Sequence, residues 1–333
     1  MKKYVKILSV IALSLTLFTG CENFLSGGSL KEELQDILDY QYADYISIRL
    51  DYTGGEGTAK SGTDFKKKPT DKITISFEPD EDYAFKDWEI LFSRNEEGSR
   101  SAMASEFTND QSDLNEIFEE LSISTDDKGI ESITFKIKKT TDISQVIVKP
   151  YLERRPDVKS NQPAQNPTPV SRQTPIFVEF SQKIDENNFR FTAEELEFLG
   201  VIEQDPELDE EGNAVYHDAE NFTTYKDEEG KYYAYKSNAD SFTCLKNIEI
   251  TTDDGIKSVA DSYMPPKLEN SDSTSSAMLT IQPYSDPDKL IDIGNADYKR
   301  ILVRLSKGIK NENGVEMSSA YTWQYQVNEE TPT

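Results

Sequence analysis

Pro175-Ile176-Phe177-Val178-Glu179-Phe180-Ser181-Gln182-Lys183-Ile184-Asp185 alternates apolar and polar side chains, then breaks on small and charged residues. A period of two puts Ile176, Val178 and Phe180 on one face of an extended chain, as in a strand with one buried side. Similar runs follow at Lys246–Thr251, before the turn residues Asp253-Asp254-Gly255, and at Ala277–Gln282, ended by Pro283. Arg300–Leu305 leads to an Asn313-Gly314 turn and a closing aromatic run, Tyr321–Val327. Runs this short, separated by Gly, Asp, Asn and Pro, predict strands and a mainly β chain.

The order of these runs resembles the bacterial Ig-like domain of the surface-layer-protein type. The resemblance is carried by Ile176-Phe177-Val178-Glu179-Phe180-Ser181-Gln182-Lys183-Ile184-Asp185, by Gly308-Ile309-Lys310 with Asn313-Gly314, and by the last aromatic strand. It covers Pro175–Val327 and implies an antiparallel β-sandwich over 175–330, a spacer or adhesive module without catalysis. The chain departs from that pattern at Leu199–Ser241, where the family has a short connection. This insertion reads as one or two hairpins, with the acidic turn Asp227-Glu228-Glu229-Gly230 between aromatic runs. It concentrates Tyr216, Tyr225, Tyr232, Tyr233 and Tyr235. Tyrosine offers rigid amphipathic contact area and is enriched at interfaces, so these five are candidate partner contacts. The alternative is tyrosines that cover their own sheet. A binding module requires them exposed and contiguous; a spacer requires them buried.

Upstream, alternation at Ile46, Ile48 and Leu50, at Ile73-Thr74-Ile75-Ser76-Phe77 and at Ile133–Ile137 marks a second β-rich region over 45–152. Leu114, Ile117, Phe118 and Leu121 fall at helical spacing and predict a short helix over its sheet. The run Ile73–Asp80 with Tyr83, Phe85 and Trp88 loosely resembles internalin-B-type β repeats, which implies a β-grasp-like module with those aromatics in its core. Between the two regions, Pro156, Pro163, Pro167 and Pro169 punctuate a polar stretch. Proline fixes φ and lacks a donor, so 153–174 reads as an extended linker.

At the start of the chain, Lys2, Lys3 and Lys6 precede the apolar run Ile7–Phe18, then Thr19-Gly20-Cys21. A cationic start, a core of about a dozen apolar residues and small closing residues form a secretory signal, residues 1–20, too short to span ~30 Å of hydrocarbon. Leu17-Phe18-Thr19-Gly20-Cys21 resembles the lipobox of bacterial lipoproteins, which implies that Cys21 is acylated and becomes the first mature residue. Residues 21–44 then form anchor, tether and a short helix capped at Ser29-Leu30-Lys31-Glu32. Localisation at a bacterial envelope follows, at the outer membrane or cell surface, or on a periplasmic face.

The formal charge of −26 becomes −29 once three leader lysines are removed. Acidic surfaces repel nucleic acid and anionic headgroups, so no nucleic-acid partner is expected and the charge is read as holding the body off an anionic bilayer. Cys21 is committed to the anchor, which leaves Cys244 without an intrachain partner and the fold without a disulfide framework; Cys244 reads as a small core residue. One histidine, His217, in an acidic loop, serves no relay or zinc site, and no phosphate-cradling glycine pattern is present. No cofactor is expected. Asp205–Gly212 superficially resembles a calcium loop, but its glycine falls late and Tyr216 stands where a bidentate glutamate belongs, so only weak Ca²⁺ binding is entertained. The expected function is a non-catalytic, lipid-anchored adhesion or protein-interaction module with a protein or glycan partner. The alternatives are an envelope spacer or a carbohydrate-binding or hydrolytic surface protein.

Overall fold

A computed structural model describes residues 45–94, 114, 116–139, 143–165, 168–208, 214–252, 257–294 and 296–329. The signal run, Cys21 and the helix expected after Ser29 lie outside the described residues. The fold is mainly β, as the alternation predicts, and it divides into two compact units. The first takes 45–52, Ala59–Phe77 and Trp88–Pro150; the second takes Thr53–Thr58, Glu78–Asp87 and Tyr151 onward.

The first region supplies β1 (Ile46–Leu50), β2 (Gly57–Ala59), β3 (Asp64–Lys67), β4 (Ile73–Pro79), β5 (Tyr83–Arg94), β6 (Phe118–Thr125), β7 (Glu131–Ile137) and β8 (Ile143–Arg154). They form two four-stranded sheets, ordered β3-β1-β8-β5 and β2-β4-β7-β6, instead of one sheet gripping a helix. Strand β1 alternates buried and exposed residues along its whole length, with Ile46, Ile48 and Leu50 inward. Trp88 is buried, as expected, whereas Tyr83 and Phe85 are half-buried. The helix expected over 114–121 is not the outcome. Leu114, Glu116 and Ile117 are helical, but Phe118 opens β6, whose register on β7 runs Phe118↔Ile137 to Thr125↔Glu131. Cross-strand pairing overrides the helical spacing there, and Leu121 is left exposed.

The second unit contains β9 (Val158–Gln162), β10 (Val170–Ser171), β11 (Ile176–Phe180), a six-residue helix α1 (Ala193–Phe198), β12 (Ile202–Leu208), β13 (Ala214–Asp218), β14 (Phe222–Lys226), β15 (Tyr232–Ser237), β16 (Phe242–Leu245), β17 (Ile248–Thr252), β18 (Lys267–Ser271), β19 (Ser276–Ile281), β20 (Lys299–Leu305) and β21 (Tyr321–Asn328). A seven-stranded sheet, β10-β21-β20-β17-β16-β15-β14, and a four-stranded sheet, β18-β19-β11-β9, share one core. Ile176, Val178 and Phe180 from one sheet meet Ile250, Val303, Trp323 and Tyr325 from the other. This is a two-layer sandwich.

The expected linker is a correction. Its residues Val158–Gln162 pair antiparallel with β11, and Val170–Ser171 pair in parallel with β21. Pro156 and Pro163 are buried beside β9 and flank it without interrupting it. An edge strand uses only one row of backbone donors, so prolines at its borders cost no ladder bonds. Loop structure beyond the strands is fixed by two buried asparagines. Asn311, 3 % exposed, donates to Glu153 and Gln182 while accepting from the Asn313 and Val315 N–H groups. Asn188 donates to the Asp185 and Lys310 carbonyls and accepts from the Lys310 N–H.

Candidate functional site

The insertion forms two hairpins, β12–β13 and β14–β15, as its turn residues predict. The second adds directly to the seven-stranded sheet through β15–β16. Its turn closes on Asp227, whose Oδ1 accepts the Glu229 and Lys231 N–H groups at 3.0 and 2.9 Å. Gly230 sits at φ +81°, where a side chain is strained.

None of the five tyrosines is exposed. Tyr233 is 7 % exposed and belongs to the sandwich core, and Tyr225 packs against that core. Tyr216, Tyr232 and Tyr235 pack with Phe191 and Phe222 around a second cluster of Leu196, Val201 and Ile202. Helix α1, closed by a Thr192–Glu195 capping box, delivers Leu196 to that cluster. The tyrosine density is therefore explained by a hairpin covered on both faces. Large amphipathic rings fill the space, and the Tyr233 and Tyr235 hydroxyls meet Tyr284 and Cys244. Burial pushes the Tyr235 phenol up to about 12 and Tyr233 well above its ordinary value. The contiguous exposed patch required of a tyrosine interface is absent among the described residues.

A cleft of about 500 Å³ lies instead between the Glu186–Phe189 turn, the β14–β15 turn and the segment Met264–Glu269. Apolar surface comes from Phe189, Met264, Pro265, Pro266 and Leu268, and charge from Glu186, Glu228, Glu269, Lys231 and Lys267. Arg190 ties its walls together. Its Nε donates to Asp227 at 2.8 Å, one amine to the Phe189 carbonyl and the other to the Pro266 carbonyl, each at 3.0 Å. The side chains of this ion pair are only 21 % and 12 % exposed. With each guanidinium nitrogen donating one bond to the cleft walls, Arg190 shapes the cleft. Burial raises the Asp227 carboxyl, but bonds from Lys231 and from the Arg190 guanidinium outweigh it and hold that group below its ordinary value. Strand β18 ends its sheet, and its residues Lys267, Leu268 and Glu269 line the cleft. Sequence reading found the Asp227–Gly230 turn but not its partner, because nothing local connects Arg190 to a residue thirty-seven positions away.

His217 lies on β13, not in a loop, half-exposed between Asp205 at 3.2 Å and Glu203 at 3.7 Å. Cys244 is half-buried on β16 opposite Tyr235, and burial pushes its thiol up, away from the reactive thiolate. Asp205 and Glu207 of the calcium-like run are in β12, while Asp209–Gly212 lie outside the described residues. Among the described residues no three His, Cys, Asp or Glu side chains gather to hold a metal. No helix there is long and apolar enough to cross a membrane. No protein-family model and no curated protein sequence matches this chain.

Proposed function

We propose that this protein is a non-catalytic protein-interaction module of a bacterial envelope, anchored through acylated Cys21, that grips an extended segment of a partner in the Arg190–Asp227 cleft. The observation that carries the reading is the position of β18. It is a terminal strand whose first residues line a cleft with apolar surface and charges of both signs. An extended partner strand satisfies the open backbone of such an edge, while alternate side chains enter the cleft and meet Lys231, Lys267 and Glu269. A glycan site would instead be favoured by exposed aromatic rings, and the hairpin tyrosines are spent on internal packing. That same packing favours the second reading, an envelope spacer without a specific ligand.

A displayed library of random peptides, selected against the chain from residue 21 and counter-selected on Leu268→Asp, separates the two. A binder enriches extended sequences with an apolar residue flanked by charges, and Lys231→Glu weakens them about tenfold or more. A spacer enriches nothing that Leu268→Asp does not also retain, and that outcome removes the cleft reading. Labelled palmitate on wild-type but not Cys21→Ser protein tests the anchor.

A further inference from the structure

Strand β3 runs antiparallel to β1 with Ile46↔Lys67 and Ser47↔Lys66, so the last residues of β3 lie beside the first residues of β1. The turn after β3 carries Lys68 and Lys72, and its Thr70 N–H donates to the Ile137 carbonyl at 2.8 Å. That bond brings the turn to the end of β7, where Lys138 and Lys139 follow. From Lys66 to Lys72 the sequence has four lysines and one acidic residue, Asp71. Lys66, Lys72 and Lys139 are exposed, and Lys67, Lys68 and Lys138 are half-buried. Among the described residues, Lys66, Lys67, Lys72 and Lys139 form no ion pair. Asp71 accepts the Lys68 N–H, and toward β6 the lysine surface stops at Glu119 and at Glu120, which pairs with Lys136. Tyr45, 51 % exposed, directly precedes β1, and the Lys68 ammonium stands 5.9 Å from its ring centroid.

We propose that this end of the first unit is a docking face for an anionic lipid bilayer. The proposal rests on the anchored reading above, because the chain that enters at Tyr45 is the tether from Cys21. Ammonium groups clustered beside an exposed tyrosine match a headgroup layer, where lysine meets phosphate and an amphipathic ring sits at the polar–apolar boundary. The net charge, −29 without the leader, does not oppose this. Salt screens charges beyond about 8 Å, so a bilayer touching this face meets lysines and not the acidic surface elsewhere. An acyl anchor and a basic face reinforce each other, since the tether keeps the face at high local concentration over the headgroups.

Vesicle co-sedimentation of the chain from residue 21 carrying Cys21→Ser, which cannot be acylated, tests this without the anchor. At physiological ionic strength it sediments with vesicles of phosphatidylcholine mixed with phosphatidylglycerol, not with phosphatidylcholine alone, and high salt releases it. Three exchanges, Lys66→Gln, Lys67→Gln and Lys72→Gln, lower partitioning on the order of a hundredfold, taking about fivefold per lysine. The same number at Lys226, Lys257 and Lys307 leaves it unchanged. Circular dichroism verifies that both triple variants fold. Inorganic phosphate at matched ionic strength does not compete. No sedimentation with phosphatidylglycerol, equal loss in both triple variants, or binding to duplex DNA but not vesicles overturns the docking face. Absence of palmitate on the wild-type protein with vesicle binding intact removes the anchor and leaves the face standing.

Discussion

Arg190 Nε donates to Asp227 Oδ2 at 2.8 Å, and the same carboxylate's other oxygen caps the turn of the β14–β15 hairpin. One carboxylate thus fixes the hairpin turn and, through Arg190, the carbonyls of Phe189 and Pro266. Removing one member of a mostly buried ion pair strands its partner. Arg190→Met is expected to cost about 3 kcal/mol, and Asp227→Asn, which keeps an acceptor for the turn, about 1 kcal/mol. Urea midpoints at constant m-value give both figures, and wild-type midpoints in both variants would show that the ion pair contributes nothing to stability.

Stability is expected to fall at both ends of the pH scale. Asp227 and Glu195 are raised by burial, but their hydrogen bonds, from Lys231 and Arg190 and from Lys246, hold both carboxyls low in the folded state. Their contribution is present above about pH 4 and is lost as pH falls through the lowered values. Tyr263 and Tyr325 share a buried hydroxyl pair at 2.9 Å; burial pushes Tyr263 up to about 12 and Tyr325 well above its ordinary value. Neutral tyrosine is the form that folds, so that contribution holds below about pH 10 and is lost as pH rises beyond it. Thermal midpoints across pH should show a neutral plateau, and a Tyr263→Phe, Tyr325→Phe double variant should flatten the alkaline limb.

Tyrosines used for packing are revealed by stability. Tyr233→Ala is expected to cost about 3 kcal/mol, as large aromatic truncations in cores do. Tyr216→Ala, from the smaller cluster, costs about 1–2 kcal/mol on the same scale of lost apolar contact. Thermal unfolding unchanged in both variants would return these residues to the role of partner contacts.

Asp218 guards the open edge of β14. Its carboxylate accepts the Thr224 N–H at 3.1 Å and the Thr224 hydroxyl at 2.6 Å, on the strand that ends the seven-stranded sheet. Asp218→Ala should lower stability by about 1 kcal/mol and bare a strand edge to other chains. Concentration-dependent light scattering that matches wild type would exclude the guarding role.

The strands that carry the two cores were legible because their alternation is strict. Ile46, Ile48 and Leu50, and likewise Ile176, Val178 and Phe180, are all buried. Strand β9 was not, since Val158-Lys159-Ser160-Asn161-Gln162 turns only Val158 inward and its place is set by backbone pairing with β11. Strand β6 was hidden by a helical coincidence: Leu114, Ile117 and Phe118 are buried, as on a helix, although Phe118 already belongs to a sheet. At the cleft, the turn residues announce themselves, whereas Arg190, Pro266 and the β18 edge meet only through tertiary structure. The lysines of the first unit were in plain view, yet a charge summed over the chain conceals a local excess.

Strand β21, between β10 and β20, is the last strand of the second unit and an interior one. A growing polypeptide therefore cannot close this seven-stranded layer until Tyr321–Asn328 has been made, whatever is already synthesised. Trimming those residues would open a gap inside the sheet instead of fraying its border, leaving Val170 without a neighbouring strand and turning Ile301, still paired with Thr252, onto a new edge.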